Sequence, residues 1–165
     1  MPNWCSNHVS FQGSKASIKK LGILMRKLQA EHQKTNLGVR PTSFYGGFFE
    51  SAMFDMHVEK DSPELVQFLS KWSPCPYTMV DLAKGLKLSS FTYEYYESGH
   101  YAAGEYEYKD GELKHWDVGH ILEGLEKHPE RRTYIHDGEE WECDDDLVEH
   151  LVELEKKKVA QATTV

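Results

Sequence analysis

Two neighbouring stretches that alternate like strands carry four glutamates: Glu94 and Glu97 in the first, Glu105 and Glu107 in the second. Two facing carboxylates can share a proton and act as acid and base, or they can bind a cation. The same pattern also suits the solvated face of an antiparallel sheet. Tyrosines interleave with these acids at positions 93, 95, 96, 101, 106 and 108. Alternation divides them between two faces, one set packing on helices and the other leaving an aromatic-acidic patch, a composition suited to protein contact. Aromatics on an open sheet can also stack nucleic-acid bases. Such sheets place cations beside the rings, however, whereas acids here would repel phosphate. A second acidic run lies between Glu139 and Asp146 and ends in Asp144, Asp145 and Asp146.

The nine histidines raise the question of metal or hydrolytic chemistry. HExxH is absent, and Glu149-His150-Leu151-Val152-Glu153 lacks the second histidine that a helical zinc motif needs. His115 and His120 flank Asp117 and could approach each other across a turn, the basis for a hydrolase reading. His8-Val9-Ser10 resembles half of a phosphodiesterase site built from two His-x-Thr/Ser strands. The other half is missing, since His57-Val58-Glu59 and His100-Tyr101-Ala102 carry no hydroxyl at the third place. There is no nucleophile elbow, GxxxxGK[ST] or GxGxxG. No catalytic residue, metal site or cofactor is therefore assigned. As an alternative to protein contact, a nucleotide could stack on the tyrosines and meet His100, Lys109, Arg131 and Arg132 through its phosphates, so that the protein sequesters a signalling nucleotide.

The charge balance bears on these readings. The formal net charge is −8, and a general DNA or RNA binder needs a basic face. Direct nucleic-acid binding is not expected, and an acidic surface suits a basic protein partner. No apolar run approaches the ~20 residues that span a bilayer, so no membrane contact is expected. The opening has no basic-then-apolar signal pattern. Cys5, Cys75 and Cys143 are odd in number and widely spaced, which argues against a disulfide framework and fits free thiols in a reducing cytosol, two buried and one exposed.

The elements that position these residues follow from periodicity. Residues 4–12 alternate and stop at Gly13, as a strand with one buried face. Ser14 caps a helix whose stripe is Ile18, Leu21, Met25, Leu28 and His32. Residues 37–51 read as a loop or irregular hairpin, and 52–59 as a strand. Asp61-Ser62-Pro63-Glu64 looks like a helix start, with Leu65, Phe68, Leu69 and Trp72 as the apolar face. A short helix is expected over 78–87. Residues 90–118 form a three-stranded meander with type I′ chemistry at Asp110-Gly111. A short helix over 119–128, a hairpin around Asp137-Gly138 and a final helix from Asp144 complete the chain.

Met1-Pro2-Asn3-Trp4-Cys5-Ser6-Asn7 followed by His8-Val9 resembles the opening of the YubB-type ferredoxin-like family of phage and plasmid proteins. Trp72-Ser73-Pro74-Cys75-Pro76 is similar to that family's Trp-Ser-Pro-Pro segment, with Cys75 in place of a proline. Tyr95-Tyr96-Glu97-Ser98-Gly99 with Gly104 is similar to its Tyr-x-Glu-x-Gly turn. The resemblance covers roughly residues 1–115 and carries no catalytic residues. It implies an α+β ferredoxin-like sandwich over 1–118, mostly antiparallel with helices on one face. Residues 119–165 are then a hairpin and helix extension that packs on the sheet edge or mediates a homodimer. The expected function is that of a non-enzymatic accessory protein in the cytoplasm of a bacterial host. It would bind a host or defence-system protein, an anti-CRISPR being the sharpest form, through Glu94, Tyr96, Glu105, Glu107 and Asp144–Asp146.

Overall fold

Alternation sets the first strand, β1 (Trp4–Gly13), with Cys5, Asn7, Val9 and Phe11 buried and Trp4, His8 and Ser10 turned outward. The computed structural model describes residues 3–41, 50–97, 102–127, 133–142 and 144–162. After β1 the Ser14 hydroxyl accepts the Ser17 N–H and starts α1 (Lys15–Thr35), which ends at Asn36 in the left-handed conformation. Next come β2 (Met53–Val58), β3 (Leu65–Lys71), α2 (Pro76–Leu86) and β4 (Leu88–Glu97). The meander continues through β5 (Ala102–Lys109) and β6 (Glu112–Asp117), joined by the Asp110-Gly111 turn with φ of 53° and 88°. Both turn residues need positive φ, as the sequence chemistry predicts.

The six strands form one sheet in the order β2-β3-β1-β4-β5-β6, and every neighbouring pair is antiparallel. Its first four strands, with α1 and α2 between them in sequence, have the βαββαβ connectivity of a ferredoxin-like sandwich. β5 and β6 widen the sheet beyond that unit.

One expected helix is instead a strand. Residues 65–71 are a strand, not a helix: Val66, Phe68 and Ser70 are buried while Leu65, Gln67 and Lys71 are exposed. The helical spacing of Leu65, Phe68, Leu69 and Trp72 is overridden by pairing, since this strand fills the slot between β2 and β1. Leu65 and Trp72, read as core, are 42% and 54% exposed.

The main core lies between the sheet and the α1–α2 layer. It contains Phe11, Phe68, Phe91 and Tyr93 from the strands and Leu21, Met25, Met79 and Leu82 from the helices. A polar network runs through it. The Asn7 amide donates to the carbonyls of Cys5 and Phe68 and to Ser70 Oγ, at 2.7, 3.1 and 2.9 Å. The Tyr93 hydroxyl donates to Asn7 Oδ1 at 2.6 Å and accepts the Cys75 N–H at 2.8 Å. Cys5 and Cys75 are buried here, and burial pushes each thiol up to about 12, so neither is a nucleophile.

The C-terminal residues build α3 (Gly119–Gly124), a small sheet of β7 (Glu126–Lys127), β8 (Tyr134–His136) and β9 (Glu139–Trp141), and α4 (Asp144–Ala162). β7 was not foreseen. This module meets the sheet at its β5–β6 end. Leu147, Val148, Leu151 and Val152 of α4 pack with Ala103, Val118 and Leu122, against Tyr96 and Trp116, on the face opposite α1 and α2. The sheet is thus covered by α1 and α2 over β1–β4 on one face and by α4 at the β5–β6 end of the other.

Candidate functional site

Strand register makes rows of side chains across the sheet face that α1 and α2 leave open. One row runs Gln67, His8, Glu94, Glu105, Trp116 across β3, β1, β4, β5 and β6. The row beside it runs Leu69, Ser6, Tyr96, Ala103. α4 crosses the β5–β6 end of these rows and adds Asp146, Val148, Glu149 and Val152 as a wall. Between wall and sheet lies a groove of about 150 Å³, lined by Ser6, His8, Glu94, Tyr96, Glu105, Asp146 and Glu149. A second hollow, over His8, Ser10, Leu65, Gln67, Thr92 and Glu94, continues it along the uncovered strands.

The groove is electrostatically lopsided. Glu94 and Glu105 are directly opposed on β4 and β5, a like-charge pairing that antiparallel sheets ordinarily avoid. Burial pushes the Glu105 carboxyl above its usual value. Glu94 and Glu107 push it further, while Lys156 pulls it back. Lys156 of α4 reaches Glu105 at 2.9 Å and Glu153 at 3.0 Å, with its ammonium 5.2 Å from the centre of the Trp116 ring. Glu94, Asp146 and Glu149 have no such cation among the described residues. The arrangement can take up a positive group against carboxylates with Tyr96 alongside.

Four of the residues singled out in the sequence, Glu94, Tyr96, Glu105 and Asp146, meet in this groove. Glu107 shares the face one row further, opposite Lys114. Glu105 is tied to Lys156 rather than free. The side chains of Asp144 and Asp145 lie outside the described residues, as do Cys143, His100, Arg131 and Arg132. Lys109 sits at the other end of β5, opposite Ser90 and Glu112. His115 and His120 do not join. His115 Nε2 shares a hydrogen bond of 2.8 Å with the Tyr95 hydroxyl and its ring stacks on Tyr106 at 4.0 Å, whereas His120 is exposed on α3. Burial lowers the His115 pKa, while Asp117 pulls it back. Tyr95 reaches His115 across Gly104, where a Cβ would lie 2.9 Å from the hydroxyl and 2.2 Å from the Trp116 carbonyl.

His8 and Glu149 were not singled out for the groove. His8 was detectable as the outward member of the β1 alternation. Glu149 was detectable by its i,i+3 spacing from Asp146.

A family model described as the ferredoxin-like domain in Api92-like protein matches residues 53–137, just over half of the 165-residue chain. The chain belongs to that family. No curated protein and no solved structure matches. The part matched to the Api92-like domain runs from β2 to the β8–β9 turn, so it includes the Glu94–Glu105 pair. It leaves out β1 and α4, which bring His8 and the acidic wall.

Proposed function

We propose that the protein is a non-enzymatic binding module whose acidic groove receives a basic side chain of a protein partner. The observation that carries this is the convergence of Glu94, Glu105, Asp146 and Glu149 on one groove beside Tyr96. Opposed carboxylates repel one another, and an incoming lysine or arginine relieves that repulsion. Charge-assisted contacts of this kind are worth about 1.5–3 kcal/mol each, roughly ten- to a hundredfold in affinity. The net charge of −8 favours fast encounter with a basic surface.

The YubB-like opening supplies the setting: a phage or other mobile element acting in the cytoplasm of its bacterial host. In that setting the fitting partner is a host or defence-system protein with a basic nucleic-acid-binding surface. The mechanism is occlusion, as in an anti-CRISPR. The test is capture of partners by tagged protein from a host carrying defence systems. The unmodified chain is compared with Glu94→Lys and Glu149→Lys, both exposed positions. A single stoichiometric partner with a basic nucleic-acid-binding surface is expected, weakened at least tenfold by either substitution at unchanged melting temperature. A partner held equally well by both variants defeats the proposal.

A further inference from the structure

Charge is divided unevenly along this chain. α1 holds Lys15, Lys19, Lys20, Arg26, Lys27 and Lys34 against the single acid Glu31, a formal +5 in a chain of net −8, so the remainder carries −13. All six cations are exposed, and none has its side chain in an ion pair or hydrogen bond among the described residues. Lys15 stands in the first turn of α1 and no acid accompanies it there, although a helix N-terminus favours acids. The stability of α1 itself therefore does not account for this set. Ile23 sits among these cations and is 58% exposed. Lys15, Lys19 and Arg26, at i, i+4 and i+11, share one stripe of the helix. With Lys60 of the β2–β3 connection they border a groove of about 500 Å³ whose lining includes Ile18 and Pro63.

We propose that the cationic face of α1 in one copy of this chain docks on the open sheet face of a second copy, against Glu94, Asp146 and Glu149. The two surfaces match in kind: carboxylates without a cation on one, cations without a carboxylate on the other. Both also expose an aliphatic side chain, Ile23 on α1 and Leu65 on the uncovered strand β3. They lie on opposite sides of the sheet, because α1 and α2 cover one face and α4 walls the groove on the other. A two-fold pair cannot satisfy both at once, so association runs head to tail and continues copy by copy. Repulsion between copies of net −8 is screened beyond about 8 Å at physiological salt, while charges in contact are screened much less. One helix face is a small contact, so the association is weak and salt-dependent. Nucleic acid is the less suited polyanion for α1, since Phe11, the ring at its groove, is buried and offers no stacking platform. The inference rests on the reading of the acidic groove as an acceptor of basic side chains, and self-association then competes with a protein partner for that groove.

The test is sedimentation velocity on the untagged full chain, from the micromolar to the millimolar range, in about 0.15 M and about 1 M salt. The average mass is expected to rise with concentration above the 19.1 kDa of one chain at the lower salt and to return to it at the higher. Lys15→Glu with Lys19→Glu reverses one end of the α1 stripe, and because acids suit a helix N-terminus the fold is kept. Glu94→Gln with Glu149→Gln neutralises the groove at two exposed positions. Each double variant alone should associate at least roughly tenfold more weakly than the unmodified chain. An equimolar mixture of the two should form a two-chain complex and nothing larger, since only the intact groove of the first and the intact α1 of the second can meet. A monomer at every concentration, association that salt or either double variant leaves unchanged, or a mixture that stays monomeric overturns the proposal. So does a monomeric chain that binds single-stranded DNA through Lys15 and Lys19. A chain that is monomeric throughout and still loses its captured partner on Glu149→Lys overturns this inference alone and leaves the binding-module reading standing.

Discussion

Replacing Tyr93 by Phe removes one oxygen from the centre of the main core and leaves the ring in place. That oxygen donates to Asn7 Oδ1 at 2.6 Å and accepts the Cys75 N–H at 2.8 Å. Tyr93 and Asn7 are fully buried, so water does not replace the lost partner without disturbing the packing. An unsatisfied buried group costs about 1–3 kcal/mol; the Cys75 N–H loses its acceptor and Asn7 Oδ1 keeps only the weak Cys5 thiol donor at 3.7 Å, so the expected loss is about 2–5 kcal/mol. For a chain of this size each kcal/mol lowers the melting temperature by about 2–4 °C, which gives a drop of roughly 4–20 °C. Urea unfolding followed by tryptophan fluorescence measures the free energy, and calorimetry measures the temperature. Tyr106→Phe is the control. Its half-buried ring stacks on His115, and none of the described hydrogen bonds uses its hydroxyl, so it should cost less than about 1 kcal/mol. Equal effects for the two substitutions would show that the Asn7–Tyr93–Cys75 network does not hold β1, β4 and the start of α2 together.

Further outcomes follow from other contacts. Gly104→Ala places a Cβ 2.2 Å from the Trp116 carbonyl and should cost about 1–3 kcal/mol or more in thermal unfolding, while Gly124→Ala, with open space around it, should be near neutral. Lys156→Met removes the cation from the mostly buried Glu105 and should cost about 1.5–3 kcal/mol, seen as faster amide exchange along α4 than in β1. Burial raises the carboxyl pKa of both Glu50 and Glu105, so the folded state holds these protons more tightly than the unfolded chain. Stability should therefore fall as pH rises from the ordinary carboxylate range through the raised values. Glu50→Gln, which keeps an acceptor for the Thr78 N–H, should flatten that slope in urea midpoints taken between about pH 4 and pH 7. In a Cys143→Ser background the native protein should resist a thiol reagent at neutral pH, and two thiols should react once it is unfolded.

Local signals carried most of the elements. Alternation over residues 4–12, the Ser14 cap and the Asp110-Gly111 turn each rest on interactions within a few residues, and each appears where the pattern places it. Residues 65–71 misled because Leu65, Phe68, Leu69 and Trp72 fit a helical stripe as well as Val66, Phe68 and Ser70 fit a strand. Only the partners on either side, β2 and β1, decide between them. The tyrosines divide between two faces as alternation requires: Tyr93, Tyr95, Tyr106 and Tyr108 line the α1–α2 side, and Tyr96 the other. The groove was half legible. Glu94 and Glu105 face each other because a meander must pair them. That α4 folds back over that end of the sheet depends on Leu147 and Leu151 finding Ala103 and Val118, contacts no local pattern encodes.

The position of β1 has a consequence for synthesis. Within this sheet it is made first, yet its neighbours β3 and β4 come after α1 and β2, and after α2, in the chain. Asn7 bonds to Phe68 across 61 residues and to Tyr93 across 86. β1 finds no partner until β3 has emerged and has both only once β4 follows, so β1 and α1 wait as a nascent pair with one apolar face bare. A fragment that begins at Met53, where the family match begins, has the opposite defect: β3 and β4 flank a missing strand, and two half-sheets face an empty slot. Expression boundaries for this chain therefore belong upstream of Trp4, and a synthetic copy of β1 added in trans is the natural complement to such a fragment.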